Sequence, residues 1–136
     1  MGRIRDLMTA NPATCKPSAT VSEAAKTMAS EDVGPVPIVE GDRLVGMVTD
    51  RDLVVRVLAE GRDPGSTTLG EIASSDLVTV QPDSDLEEAT RLMQQHQVRR
   101  LPVVEDGRLV GIVAQADVAR ALDEEHTGEV VEQISR

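Results

Sequence analysis

The sequence predicts an α/β (α+β) fold in which two β-α-β-β-α motifs pack face to face as a pseudo-twofold pair. Two observations lead to this prediction. The chain matches itself without a gap at an offset of 65 residues, with fourteen identities between residues 17–52 and 82–117. One copy of about 55 residues would have only a marginal core, so that two copies are expected to share one.

The composition limits both the core and the partners. The chain has 136 residues, 40% of them hydrophobic, and it contains no Phe, Tyr or Trp, so that aliphatic side chains must fill the core and no aromatic ring can stack on a base. A net charge of −10 argues against nucleic acid and anionic membranes as partners. Without an apolar stretch of about 20 residues or an apolar leader, the protein is expected to be cytoplasmic.

Each copy begins with a helical pattern and continues with a hairpin. Apolar residues recur at helical spacing after a candidate cap, which is Thr20 or Ser22 in the first copy and Asp83 or Asp85 in the second. Two apolar runs joined by a tight turn follow, which is typical of a β-hairpin. The expected strands are residues 36–39 and 44–49, then 101–104 and 109–114, with short strands near 14–15 and 78–80 and second helices from Asp50 and Gln115.

The repeat also predicts the domain boundaries. Residues 1–62 are assigned to the first motif, 63–68 to a linker rich in turn residues, 69–124 to the second motif and 125–136 to an acidic C-terminal tail. One-turn or two-turn helices at 4–8 and 69–73 are expected to introduce the two motifs. Within the tail, Val130, Val131 and Ile134 could form a short helix that packs on a neighbour.

The most specific stretches are Val36-Pro37-Ile38-Val39 and Leu101-Pro102-Val103-Val104, each followed by a turn and Leu-Val-Gly. Next come Thr49-Asp50-Arg51-Asp52 in the first copy and Ala114-Gln115-Ala116-Asp117 in the second. In this order, each copy resembles a CBS motif, and residues 4–123 resemble a CBS pair (Bateman module) of the kind that binds adenosine derivatives. Residues 57–64 and 95–100 make the chain similar to small stand-alone actinobacterial proteins of this family.

The Thr49–Asp52 stretch lies where a strand passes into a helix, and it has two interpretations. A helix start favours phosphate, Thr49 adds a hydroxyl, and Asp52 can accept hydrogen bonds from both hydroxyls of a ribose. The same spacing is also close to a helix capping box, in which Thr49 is the cap and Asp52 favours the first turn. The two interpretations can hold together.

The family resemblance implies that each ligand site is built across the pair. The main site would combine Thr49, Arg51 and Asp52 with residues of the second copy, namely Val78, Thr79, Val80, Arg99 and Arg100. An arginine fork suits phosphate oxygens. Arg99 and Arg100 could instead form a solvated turn, but a basic pair in so acidic a chain favours the pocket.

The second site departs from the family pattern. Ala114 replaces the threonine, while Asp117 remains. Its implied partners in the first copy are Ala13, Thr14, Cys15 and Pro35. Because each lost charge-assisted hydrogen bond removes about 1.5–3 kcal/mol, we expect one competent site and one degraded site.

These observations favour a non-catalytic regulatory module that senses AMP, ADP, ATP or S-adenosylmethionine and requires no cofactor. Neither a metal site nor an enzyme is expected, because His96, His126 and Cys15 have no recognisable ligand or catalytic set. Because modules of this family commonly dimerise through their helices, the resemblance implies a homodimer, with an unknown protein partner to carry the signal. The candidate dimer contacts are Leu53, Val54, Val57, Val118 and Leu122. The alternative function is a nucleotide-free structural or stress-response dimer that acts through protein–protein contacts.

Overall fold

The structure is a computed structural model that describes residues 2–135, with side chains described for residues 2–125. Its helices and strands follow the order that the repeat predicts. They are α1 (Ile4–Leu7), β1 (Thr9–Ala10), α2 (Val21–Glu31), β2 (Pro35–Glu40), β3 (Arg43–Thr49), α3 (Asp50–Leu53), a π-helical turn (Val54–Leu58), α4 (Leu69–Ile72), α5 (Leu86–His96), β4 (Arg100–Glu105), β5 (Arg108–Ala114) and α6 (Gln115–Ser135).

The chain folds as two compact units. The first-repeat unit comprises Asn11–Leu77 and Asp106–Leu109, and the second-repeat unit comprises Met1–Ala10, Val78–Glu105 and Val110–Arg136. The opening residues, which the sequence assigned to the first motif, therefore belong to the unit of the second repeat. In the first-repeat unit, Asp42 forms an ion pair with Arg108 from the turn of the second hairpin (Oδ2 to Nε, 3.2 Å).

The helices α2 and α5, which occupy equivalent positions in the two repeats, each begin after one of the two candidate caps that the sequence offers. Thr20 caps α2, because its Oγ1 accepts a hydrogen bond from the backbone N–H of Glu23 at 3.2 Å. Asp85 caps α5 in the same way, with Oδ1 accepting from the N–H of Glu88 at 2.8 Å. Asp83 instead binds Arg5 outside the helix, and this interaction raises the pKa of the Arg5 guanidinium.

Both hairpins form where the apolar runs predict them, and the strands extend slightly beyond the expected bounds. β2 and β3 pair in antiparallel fashion, with Val36 opposite Val48 and a bulge at Ile38 and Val39. β4 pairs with β5, and β1 also pairs with β5. The short strands expected near residues 14–15 and 78–80 are single parallel bridges, from Cys15 to Ile38 and from Val80 to Val103.

Each short helix that introduces one repeat packs on the other repeat. α1 precedes the first repeat, yet Ile4 is completely buried in the core of the second-repeat unit. α4 precedes the second repeat, yet Leu69 is completely buried in the core of the first-repeat unit. The backbone hydrogen bonds of the two helices are equivalent at the offset of 65 residues. The N–H groups of Ile4 and Arg5 donate to the carbonyls of Ser84 and Pro82, respectively. In the same way, the N–H groups of Leu69 and Gly70 donate to the carbonyls of Ala19 and Pro17.

Burial overturns most of the dimer contacts expected from the sequence. Leu53 (9% exposed), Val57 (0%) and Val118 (1%) lie in the cores of their own units, so they cannot meet a second copy. Leu122 is partly buried and packs against the core of the second-repeat unit. Of the five, only Val54 is an exposed apolar side chain, at 55%; beside it on the same helical segment lie Val55 (47%) and Leu58 (64%).

The last helix is longer than the sequence indicates. α6 begins at Gln115, as expected, and continues without a break to Ser135, through most of the segment assigned to an acidic tail. The helical backbone therefore includes Val130, Val131 and Ile134. Their side chains lie outside the described part of the structure.

Candidate functional site

Thr49 and Asp52 form a reciprocal capping box at the start of α3. The Thr49 Oγ1 accepts a hydrogen bond from the N–H of Asp52 at 3.2 Å. The Asp52 Oδ2 in turn accepts from the N–H of Thr49 at 2.8 Å. The capping interpretation of this motif is therefore confirmed, and it brings the two candidate ligand residues into direct contact.

The end of β3 sets the position of this pair. Thr49 lies opposite Pro35 of β2, and the N–H of Asp50 donates to the carbonyl of Gly34 at 3.1 Å. A side-chain carbon at Gly34 would lie 3.1 Å from Asp50 Oδ1, so the glycine allows this close approach. Pro35, which was assigned to the second site, is thus the sheet neighbour of a main-site residue.

The carboxylate of Asp52 retains hydrogen-bond acceptor positions that its observed contacts do not use. Its side chain is 24% exposed, and Oδ1 lies 3.7 Å from Nε of Arg56, which is longer than a hydrogen bond. A carboxylate offers about four acceptor positions, so that capping and a loose ion pair do not use all of them. Arg51, the third main-site candidate of this unit, is exposed. This carboxylate can accept hydroxyl hydrogen bonds while it caps the helix.

The other main-site candidates belong to the second-repeat unit. Val80 is buried at 3% and is held by backbone hydrogen bonds to Pro102 and Val104, at 3.1 and 2.8 Å. Val78 is half-buried and Thr79 is exposed. Arg99 and Arg100 are exposed, and neither takes part in an ion pair among the described side chains. Arg100 Nη1 donates to the backbone carbonyl of Arg99 at 3.4 Å, which leaves most N–H groups of the two guanidinium groups able to bind an anion.

The start of α6 differs from that of α3 in the way the sequence predicts. Ala114 stands at the position of Thr49 and has no hydroxyl, while the N–H of Gln115 donates to the carbonyl of Arg99 at 2.8 Å. Asp117 is 41% exposed and its Oδ1 accepts from Arg120 Nη2 at 3.0 Å. No capping box holds this carboxylate in place.

The first-copy residues assigned to the second site fall into two places. Thr14 and Cys15 border a surface groove of about 440 Å³ in the first-repeat unit, together with Lys16, Ser18, Ala19, Glu23 and Thr27. Cys15 Sγ lies 3.9 Å from Thr27 Oγ1. The residues at the equivalent positions of the second repeat, Val80 and Leu92, are both apolar. Ala13 and Pro35 are half-buried and do not line this groove.

Sequence reasoning missed Arg56. It approaches Asp52 through Nε, and its Nη1 donates to the backbone carbonyl of Ile72 at 2.9 Å. The spacing of four residues between Asp52 and Arg56 on a helix is a signal that could have found the pair.

Among the described side chains, no group of three or more His, Cys, Asp or Glu is placed to hold a metal ion. In the part of the chain that the structure describes, no helix combines the length and apolar character that a membrane span needs.

Residues 4–59 and 69–124 each match the CBS domain. Together with the repeated fold, this match shows that the chain belongs to the CBS domain family, as its sequence motifs predict. Proteins of this family are generally regulatory rather than catalytic, and the comparisons indicate no enzyme family for this chain.

Close relatives have chains of similar length. The CBS domain-containing protein YhcV of Bacillus subtilis is 45% identical over 99% of this chain and 96% of its own. Hypoxic response protein 1 of Mycobacterium tuberculosis is 43% identical over 91% of this chain and 87% of its own. The predicted similarity to small stand-alone CBS-pair proteins is thereby confirmed.

Two solved structures have the same fold. The crystal structure of Hypoxic Response Protein I, with two coordinated zinc ions, has a TM-score of 0.81 and covers 89% of this chain and 99% of its own. The CBS domain pair of protein MJ0100, in complex with 5′-methylthioadenosine and S-adenosyl-L-methionine, has the same TM-score at 27% identity and covers 92% and 98%. The predicted fold class is confirmed.

Proposed function

We propose that this protein is a non-catalytic regulatory module that senses an adenosine-containing ligand through the Thr49–Asp52 pair. AMP, ADP, ATP and S-adenosylmethionine are the candidate ligands. The observation that carries the proposal is the half-buried Asp52 carboxylate, which is held by its capping box and keeps acceptor capacity. In this role Asp52 accepts the ribose hydroxyls, and Thr49 lies beside the phosphate or ribose.

The remaining ligand contacts follow from the family resemblance. Val78, Thr79 and Val80 would border the adenosine, and Arg99 or Arg100 would bind phosphate, with Arg51 near the same ligand. The adenosyl ligands of the MJ0100 pair support this class of ligand. The exposed guanidinium groups at residues 99 and 100 support an anionic group on it.

The two repeats are proposed to differ in affinity. The first has a hydroxyl and a fixed carboxylate, whereas the second has Ala114 and a carboxylate that pairs with Arg120. Asp117, Ala13, Thr14, Cys15 and Pro35 are therefore assigned to a degraded site, which would bind weakly or take a different ligand.

Bound nucleotide is easy to detect in this chain. Because the sequence has no Phe, Tyr or Trp, the polypeptide absorbs little between about 260 and 280 nm. A purified sample with a distinct 260 nm band is therefore carrying nucleotide, which mass spectrometry of the released ligand can identify.

Calorimetric titration of the stripped protein with the four candidate ligands is the decisive experiment. Asp52→Asn keeps an oxygen that can cap the helix and removes the charge, so it separates the ligand role from the structural one. We expect it to weaken binding about 10- to 150-fold, as the loss of one charge-assisted hydrogen bond would. The matched control, Asp117→Asn, should change the affinity by less than about threefold. If none of the ligands gives heat with the wild-type protein, the proposal fails.

An exposed apolar patch bears on the homodimer that both functions require. Val54, Val55 and Leu58 form an exposed apolar patch, whereas the equivalent residues of the second repeat are Ala119, Arg120 and Asp123. We propose that this patch is where two copies form a homodimer. If the protein binds no adenosyl ligand, a structural or stress-response dimer with a separate protein partner becomes the better assignment.

A further inference from the structure

Arg56 connects the candidate ligand carboxylate to another part of the first-repeat unit. Its Nε lies 3.7 Å from Asp52 Oδ1, and its Nη1 donates to the carbonyl of Ile72 at 2.9 Å. Arg56 belongs to the π-helical turn Val54–Leu58, a type of turn that is often found at functional sites. A single guanidinium group therefore contacts both Asp52 and the end of α4.

The segment that follows Ile72 is held against β3. The carbonyl of Ile72 is one of those that a helix end leaves without an intrahelical partner, so Arg56 satisfies it. Ser74 and Met47 then exchange two backbone hydrogen bonds, of 3.0 and 3.1 Å. A side-chain carbon at Gly46 would lie 3.2 Å from both Ala73 Cβ and the Ser74 carbonyl oxygen, which is tighter than an ordinary contact, so glycine favours this close approach. Three residues beyond Ser74, at Leu77, the chain leaves this unit.

The second repeat lacks the whole connection. The residue equivalent to Arg56 is Ala121, which lies in α6, a continuous α-helix with no π-helical turn. Asp117, the counterpart of Asp52, pairs with Arg120 of its own helix. The arginine connection therefore occurs only in the repeat whose carboxylate we propose to bind ligand.

We propose that Arg56 is a positioning residue that transmits ligand binding at Asp52 to residues 72–77, the segment through which the chain leaves the first-repeat unit. This inference rests on the proposed function. In the structure the ion pair is loose, because 3.7 Å exceeds hydrogen-bond length and half of the Arg56 side chain is exposed. A ribose on Asp52 would order the carboxylate and exclude water from it, which strengthens its attraction for Arg56. The tightened guanidinium then holds the Ile72 carbonyl more firmly.

Hydrogen exchange of peptides that cover residues 72–77 tests this mechanism. With saturating ATP or S-adenosylmethionine, exchange in the wild-type protein should slow by about threefold or more, because opening of the segment is suppressed. In Arg56→Ala the ligand should still bind, within about fivefold of the wild-type affinity, while the slowing disappears. Retention of the slowing in Arg56→Ala would overturn the inference.

Arg62→Ala is the matched control. Arg62 also contacts α4, through an ion pair of 2.9 Å with Glu71, but it does not contact Asp52. This variant can loosen α4, yet it should keep the ligand-dependent slowing at residues 72–77. Loss of the slowing in both variants would mean that any weakening of α4 abolishes it, which contradicts a specific role for Arg56.

A comparison without ligand separates this inference from the proposed function. Arg56→Ala removes the hydrogen bond of 2.9 Å to the Ile72 carbonyl and should speed exchange at residues 72–77 in the free protein, whereas Asp52→Asn loses only a loose ion pair and should speed it less. If Arg56→Ala leaves exchange there unchanged in the free protein, the connection through Arg56 is refuted, whatever the ligand does. If the connection is present but no candidate ligand binds the wild-type protein, only the proposed function has failed.

Discussion

Ile4→Ala tests whether each short leading helix packs on the opposite repeat. Residues this close to a chain end often contribute little to stability, because ends fray unless they are held. Ile4, however, is 0% exposed in the core of the second-repeat unit, and its N–H donates to the carbonyl of Ser84 at 3.1 Å. The substitution removes buried carbon atoms from this core, while the backbone of α1 stays held in place by its hydrogen bond to Ser84.

The expected loss of stability is large. Replacing a buried isoleucine with alanine costs about 2–5 kcal/mol, and the cost is greatest where the surroundings cannot collapse into the cavity. Because the hydrogen bonds of Ile4 and Arg5 hold α1 in place, we expect a decrease of about 3 kcal/mol. For a chain of 136 residues this corresponds to a decrease in Tm of about 10 °C.

Urea unfolding followed by far-UV circular dichroism is the suitable assay, because the chain has no Trp or Tyr whose fluorescence could report unfolding. Leu69→Ala, the equivalent change in α4, should cost a similar amount. Val54→Ala removes a side chain that is 55% exposed and should cost less than about 0.5 kcal/mol. If Ile4→Ala lowers the free energy of unfolding no more than Val54→Ala does, α1 does not pack in the core of the second-repeat unit, and the packing of each leading helix on the opposite repeat is refuted.

Three further predictions concern a cap, a glycine and the exposed patch. Asp85→Ala removes the cap of α5 and should lower the free energy of unfolding by about 1 kcal/mol in the same assay; no decrease would contradict the cap. Gly111→Ala places a carbon 3.0 Å from the Thr9 carbonyl oxygen and should cost about 1–3 kcal/mol, whereas Gly65→Ala meets only Asp63 at 3.6 Å and should be tolerated; equal effects would contradict the close packing at Gly111. Leu58→Asp should leave the monomer folded but shift sedimentation from dimer to monomer, and a persistent dimer would exclude this patch as the interface.

The local elements were predictable because they depend on residues a few positions apart. Thr20 and Asp85 were each one of two candidate caps, and capping needs only a side-chain oxygen near the following N–H groups. The hairpins follow from apolar runs on either side of turn residues. The Thr49–Asp52 capping box was predictable for the same reason.

Burial on the helical segment 50–58 could not be predicted. Leu53, Val54, Val55, Val57 and Leu58 are all apolar, so hydrophobic periodicity cannot tell which of them face the core. The π-helical turn also departs from the α-helical spacing on which such patterns depend. For these reasons Leu53 and Val57 were wrongly expected to contact a second copy.

The sequence by itself determined the repeat, the family, the order of helices and strands, and the residue types that distinguish the two helix starts. All of these depend on identities along the chain or on neighbours within a few positions. Only the tertiary structure decided that α1 and α4 pack on the opposite repeats, and that Arg56 joins Asp52 to Ile72. Such contacts join segments that are distant in sequence, and their partners are backbone carbonyls and buried core side chains, which no local pattern of residues records.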